Sequence, residues 1–499
     1  MNENNPMNGF LTNHISFFPK SDFYGKYFCF QFKRDVSKFL NIFVSSLAAY
    51  EGCHEKNSSI FLTTCKLLKQ GSYLILNPKK KPKKLKQVYT NPTLDFVKSF
   101  LSLSTDVGID PVSSLTYRNI EFRHSFCLEV SPLEIRNNLN EKIEILSQLT
   151  ILKDKSDLRI QCHILSCTSF EGQKSFIKPE ARNTTENPDC DNLILYYHGG
   201  AFITSSTKSS EAYLREWTVQ LNCPIVSVDY SLSPEAIFPQ AVQECFYVYC
   251  WILKNKHNVG WNGKSIIVSG DSAGASLAFS VTQLAIVKEI RIPDGIVCAY
   301  PSCCTLITNS PSRMLIHIDP LLSFGFLNVA RNAYFGVKRS LPNNSDSGIV
   351  EQRKQEDNKE LKINSTDEFY RILGINDTMF NFYLKTEVNV SDFDETSIDC
   401  FFESLENDSG RDSLASPIFT EDEILQRFPP VRIMVSDMDP LLDEEIEMCK
   451  KLSKNKVDVK IDVVEDFPHG FMAFYATSDE VKKAGSLIIA RFIEIFQII

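Results

Sequence analysis

Apolar positions in the first 118 residues recur at helical spacing. Phe39, Leu40, Phe43, Val44, Leu47 and Ala48 fall on one face, and a second amphipathic run covers 94–103, so residues 1–118 read as a helical N-terminal domain. From residue 119 the pattern changes. Residues 158–165 alternate apolar and polar positions, as a half-buried strand does, and a polar linker follows at 166–191. Short apolar runs then appear at 193–197, 225–228, 266–268, 296–299 and 431–435, each of the length and composition of a buried parallel strand. Helical stretches at 240–253 and 275–287 separate several of them, and a strand at 457–464 precedes a C-terminal helix. Strands alternating with helices predict an α/β fold with a mostly parallel central sheet covered by helices on both faces. Residues 336–414 break the rhythm. They are rich in Asn, Ser, Asp, Glu and Lys and read as a polar, partly disordered insertion that divides the α/β domain into 119–335 and 415–499.

With 499 residues and 43% hydrophobic content, the chain has ample material for a core, and disorder of the whole is excluded. Lys+Arg 53 against Asp+Glu 62 leaves a net charge of −9, which argues against a nucleic-acid partner held by counterion release. Fifteen Cys without a C-x-x-C pair read as reduced, mostly buried thiols rather than a disulfide frame or zinc site. The polar N-terminus lacks an apolar signal region, and no run approaches the roughly 18 apolar residues of a spanning helix, so the expectation is a soluble cytoplasmic protein. A basic stretch at 78–86 reads as a solvated loop, with a nuclear signal or an anionic-surface contact as alternatives.

Gly270-Asp271-Ser272-Ala273-Gly274 lies between a predicted strand, 265–269, and a predicted helix. A serine at so sharp a turn is lifted above the sheet, and the flanking glycines remove the Cβ clashes of the turn. The amide of Ala273 then points at a reacting oxygen. His198-Gly199-Gly200-Ala201 follows another strand, where small residues let main-chain N–H groups crowd around an anion. An oxyanion hole is expected from Gly199, Gly200 and Ala201 together with Ala273, with the amides of the last three as donors. A nucleophilic serine needs a base, and the base an orienting carboxylate. Two histidines follow Ser272. His469, in the loop after strand 457–464, can reach it, whereas His317 reads as a lid or packing residue. Three acids follow strand 431–435: Asp437 suits a bond at the strand end, Asp443 a helix N-terminus, and Asp439 is held extended by Pro440. Spacing does not choose among them.

Taken together these motifs resemble the hormone-sensitive lipase family of α/β-hydrolases. The likeness extends through 229–236, Pro311-Ser312-Arg313-Met314, Asp319-Pro320-Leu321-Leu322 and 463–471. It also includes Phe23-Tyr24-Gly25-Lys26 and Phe30-Gln31-Phe32 near the N-terminus. The resemblance implies the α/β-hydrolase fold, Ser272 as nucleophile, His469 as base, and Asp439 as acid because the family's acid opens an Asp-Pro-Leu motif. It maps the family's His-Gly-Gly-Gly onto His198–Ala201, with Ala201 placing a methyl where the family has glycine. The implied activity is that of a serine lipase or esterase needing no metal or cofactor, with a neutral pH optimum. Its substrates would be acylglycerols and, by extension, sterol or retinyl esters. The implied location is cytoplasmic and peripheral on lipid droplets, with a homodimer allowed. The alternatives are a soluble carboxylesterase or deacetylase of small esters and a non-catalytic small-molecule receptor on the same fold. His469 argues against the receptor, because that class lacks the histidine.

Overall fold

The computed structural model describes residues 32–51, 88–89, 92–108, 120–152, 158–173, 187–306, 310–317, 319–337 and 408–498. The basic stretch 78–86, the motif at 23–26, and residues 338–407 of the expected insertion lie outside them.

Two amphipathic helices come first, α1 (Arg34–Glu51) and α2 (Leu94–Gly108). Val36, Leu40, Val44 and Leu47 are buried along one stripe of α1, which is the predicted periodicity. The strands are β1 (Phe122–Glu129), β2 (Glu134–Arg136), β3 (Lys142–Glu144), β4 (Arg159–Ser166), β5 (Cys190–Tyr197), β6 (Ile225–Asp229), β7 (Trp261–Asp271), β8 (Gly295–Ala299), β9 (Val431–Ser436) and β10 (Val459–Val464). β2 and β3 form a separate hairpin, and the other eight make one sheet in the order β1-β4-β6-β5-β7-β8-β9-β10. β1, β4 and β6 pair antiparallel, and every pair from β6 to β10 is parallel.

Buried parallel strands read as continuous apolar runs because both faces are covered. In β5, Leu193, Leu195 and Tyr197 point into one core cluster and Ile194 and Tyr196 into the other. Helices α4 (Gln240–Lys254), α5 (Ala273–Val287) and α7 (Leu442–Lys454) supply the first cluster, with α3 (Thr207–Leu221) before α4 and α6 (Phe324–Tyr334) between α5 and α7 in the chain. The second is supplied by α1, α3 and the C-terminal helix α8 (Asp479–Ile498). A third, smaller cluster joins Leu47 and Tyr50 of α1 and Phe96, Val97 and Phe100 of α2 to Phe326, Ala330 and Ala333 of α6.

β1 and α3 carried no clear sequence signal. β1 alternates buried and exposed residues at the sheet edge, and α3 buries Ser210, Glu211 and Arg215 on a face where periodicity looks for apolar side chains. The chain returns at 408 in a short 3₁₀ turn and packs at once: the carbonyl of Leu414 accepts from Ser280 Oγ at 2.8 Å, and Ala415 is buried. Among the described residues, eleven cysteines are free and eight of these are buried. No described helix is long and apolar enough to cross a membrane.

Candidate active site

β7 delivers the Gly-Asp-Ser-Ala-Gly segment to the edge of the sheet at which the parallel strands end. Ser272 sits there at φ +52°, ψ −119°, a conformation L-residues rarely adopt, between the strand and α5. Such strain persists only where the surroundings impose it. Here the Ser272 amide donates to the Ala299 carbonyl at 3.0 Å, and the turn lies hard against β5. A Cβ on Gly274 would stand 2.0 Å from the Tyr197 carbonyl oxygen, so only glycine fits.

The loop after β10 brings His469 back to this serine. Ser272 Oγ and His469 Nε2 are 2.8 Å apart, and His469 Nδ1 lies 2.9 Å from Asp439 Oδ2 and 3.0 Å from Oδ1. A carboxylate only accepts, so Nδ1 carries the proton and Nε2 presents a lone pair to the serine hydroxyl. Burial alone would lower the His469 pKa, but the charge and hydrogen bond of Asp439, with Asp319 and Asp271 behind it, raise it above its ordinary value. Asp439 is fully buried, and its Oδ1 also accepts from the Leu441 amide at 2.8 Å.

The two competing acids are engaged elsewhere. Asp437 Oδ1 accepts from the Asp466 amide at 2.7 Å, and Asp443, in the first turn of α7, accepts from the Ser312 amide at 2.7 Å. His317 lies at the end of the 3₁₀ helix Ser312–His317, and its side chain falls outside what is described.

The expected anion-holding amides divide. Gly200 adopts φ +110° and Ala201 φ +52°, and their amides, like that of Ala273, donate to no acceptor among the described residues. All three belong to the segments that flank Ser272. Gly199, expected in the oxyanion hole but not among its donors, gives its amide to Asp271 Oδ1 at 2.8 Å and so holds the turn. Asp271 also accepts from Tyr196 Oη at 2.5 Å, which ties the two motifs together. Burial pushes its carboxyl pKa up, against those hydrogen bonds. His198 donates from Nδ1 to the Gly199 carbonyl at 2.7 Å and stacks on Tyr230 at 4.3 Å. Burial lowers its pKa, which suits a neutral structural role. Gly270 packs against Gly274.

In the sequence Asp319 stands out only as part of a family-like segment. Its Oδ2 accepts the His469 backbone amide at 2.9 Å, while Oδ1 accepts from Leu321 and Leu322 at 2.8 and 2.7 Å. Burial raises its pKa to about 6. The signal was available: Asp-Pro-Leu-Leu occurs twice, at 319 and 439, and both copies converge on His469. A buried pair, Arg313 with Glu444, anchors the segment leading to Asp319.

A cavity of about 40 Å³ opens beside Ser272. Its walls include Ala201, Phe202, Leu322, Leu327, Arg331 and Tyr334, so α6 forms one side. The N-terminal helices pack on α6 from behind and buttress that wall. The arrangement therefore combines an oriented hydroxyl, a base with a fixed tautomer, unpaired amides and a small pocket, which is the equipment of acyl transfer to a serine.

Comparison with known proteins agrees. Residues 2–174 match the family model described as the hormone-sensitive lipase N-terminus, and residues 194–346 and 383–473 match one described as an alpha/beta hydrolase fold. Human hormone-sensitive lipase is 25% identical over 97% of this chain and 55% of its own length. That of Ictidomys tridecemlineatus is 24% identical over 97% and 78%. This chain thus spans little more than half of the human relative. Among solved structures, a hyperthermophilic esterase from the archaeon Pyrobaculum calidifontis superposes with a TM-score of 0.52 at 18% identity, covering 83% of this chain and 97% of that one, which bears on the fold alone. From its two family matches, its curated relatives and its fold, this chain belongs to the hormone-sensitive lipase family of α/β-hydrolases.

Proposed function

We propose that this chain is a serine carboxylic ester hydrolase acting on lipid esters, acylglycerols above all, with Ser272 as nucleophile, His469 as base and Asp439 as the orienting acid. The observation that carries the reading is the continuous line from Ser272 Oγ through His469 to Asp439, at 2.8 and 2.9 Å. As Oγ attacks the ester carbonyl, its proton passes to His469 Nε2, and Asp439 stabilises the imidazolium. The carbonyl oxygen becomes an oxyanion that the amides of Gly200, Ala201 and Ala273 can hold, each worth on the order of 3 kcal/mol of barrier. The N-terminal end of α5 adds a favourable dipole. Collapse of the adduct breaks the ester C–O bond, and His469 returns its proton to the leaving alcohol. Water then repeats the sequence on the acyl-enzyme and frees the acid and Ser272.

Acylglycerols are favoured because hormone-sensitive lipases are the relatives that align over 97% of this chain. Action at a lipid-droplet surface from the cytoplasm goes with that substrate. A second reading, hydrolysis of small soluble esters, is favoured by the modest size of the cavity at Ser272. The test compares emulsified diacylglycerol with short p-nitrophenyl esters for the wild type and Ser272→Ala. The variant should lose at least ~10⁴-fold in kcat on every ester and keep its unfolding midpoint. Undiminished turnover by the variant removes the nucleophile assignment, and short esters alone being cleaved selects the second reading.

A further inference from the structure

Four arginines are buried among the described residues: Arg215, Arg313, Arg331 and Arg432. Three have a carboxylate. Arg215 pairs with Glu211 at 2.7 Å, Arg313 with Glu444, and Arg432 with Asp458 at 2.6 Å and Glu494 at 3.0 Å. Arg331, 7% exposed, has none among the described residues. Its Nε donates to the Thr305 carbonyl at 2.9 Å and its guanidinium lies 5.8 Å from the Phe335 ring centre, and the remaining donors have no acceptor among the described residues. Burying a cation without a counter-charge is costly, and proteins avoid it unless something else supplies the charge. The neighbouring Cys304 does not: burial raises its thiol pKa to about 11, so it is neutral at ordinary pH.

The placement of this guanidinium is informative. Arg331 lines the cavity that Ser272 also lines. Tyr334, one turn further along α6, lines it too, is buried, and its hydroxyl has no hydrogen-bond partner. The rest of the wall is largely apolar: Ala201, Phe202, Leu322, Leu327 and Ala330. At about 40 Å³ the cavity suits a compact polar group and is too small for an extended acyl chain. A planar fork of N–H donors in an apolar setting recognises oxyanions, carboxylate or phosphate.

We propose that this cavity is a subsite for an anionic oxygen group on the substrate, so that the preferred esters carry a carboxylate or phosphate close to the scissile carbonyl, held by Arg331 with Tyr334 as a second donor. The proposal rests on the ester-hydrolase reading and moves its preferred substrates from neutral acylglycerols to esters that bear an anionic group. It would place the long apolar chain of a lipid ester outside this cavity and the charged head within it.

The experiment compares matched esters that differ only in charge. One pair is the mono-p-nitrophenyl ester of glutaric acid against p-nitrophenyl pentanoate, with spontaneous hydrolysis subtracted. The other is 1-oleoylglycerol 3-phosphate against 1-oleoylglycerol. For the wild type, the anionic-to-neutral ratio of kcat/KM should exceed tenfold in at least one pair, and which pair shows it separates carboxylate from phosphate. Arg331→Met should reduce that ratio at least tenfold, and Arg331→Lys should restore part of it. A wild-type ratio at or below one in both pairs, or the same ratio in Arg331→Met, overturns the subsite. Should Arg331→Met fail to fold, glutarate or glycerol phosphate must slow fluorophosphonate labelling of wild-type Ser272, and the absence of protection by either counts against the proposal. Turnover of the neutral esters and labelling without competitor report separately on the hydrolase reading.

Discussion

At the scale of single residues, Asp439 and Ala201 are the most exposed to test. Asp439 fixes the His469 tautomer and is the largest of the influences that raise its pKa against burial. The base acts when neutral, so kcat/KM should climb with pH through a midpoint above the ordinary histidine value of about 6.5 and level off beyond it. Asp439→Asn should cut kcat about 10³- to 10⁴-fold, and the remaining activity should show its midpoint shifted to lower pH. A pH–rate profile of both forms checks the two effects together, and an unmoved midpoint counts against Asp439 as the source of the shift. Ala201 holds a left-handed conformation that costs a Cβ-bearing residue about 1 kcal/mol, with its methyl on the cavity wall. Ala201→Gly relieves both constraints. Its activity on an ester of a tertiary alcohol, relative to the matching primary ester, should rise at least about fivefold, measured as a ratio of kcat/KM.

Among the elements, α6 has the most varied role. One face forms the cavity wall, and Phe326, Ala330 and Ala333 pack on α1 and α2. The N-terminal helices therefore act on the site at one remove. Leu47 is fully buried in that cluster, and Leu47→Ala should cost about 2–5 kcal/mol of stability. The variant should show an earlier urea midpoint and, because the wall is less supported, a higher KM for short esters with a smaller change in kcat. An unchanged urea midpoint would mean that the cluster contributes little. The periodicity of α1 and α2 announced two amphipathic helices but not their partner. A stripe of apolar side chains states that a face is to be covered and is silent on what covers it.

Over the whole molecule, α8 closes the sheet through ionic contacts as well as apolar ones. Glu494 accepts from Arg432 at 3.0 Å, from Arg491 at 2.8 Å, and from Lys460. Partial burial opposes its ionisation, but these three cations outweigh that and hold its pKa down to about 2. A depressed carboxyl stabilises the fold above its unfolded value of about 4.5, and this contribution fades as pH falls towards 2. Glu494→Gln should therefore lower stability at neutral pH by about 1–3 kcal/mol and flatten the loss between pH 4.5 and 2. Denaturant titrations across that range test both, and parallel pH dependences in the two proteins would refute the link.

Much of this protein was legible in the order of its residues. Short continuous apolar runs pointed to a sheet buried on both faces, because a parallel strand covered by helices on either side turns every side chain into core. The Gly-Asp-Ser-Ala-Gly segment declared its sharp turn, because at Gly274 any side chain would put a Cβ 2.0 Å from the Tyr197 carbonyl oxygen. What chain order alone left open concerned contacts between distant segments. Asp437, Asp439 and Asp443 stand within seven positions of one another, and which one meets His469 depends on how the loop after β9 lies against the loop after β10. The role of the Gly199 amide, which holds the turn, follows from Asp271, seventy-two residues away. That Arg331 meets no carboxylate among the described residues is likewise invisible in the sequence, since a counter-ion can come from any segment and only folding decides which side chains approach.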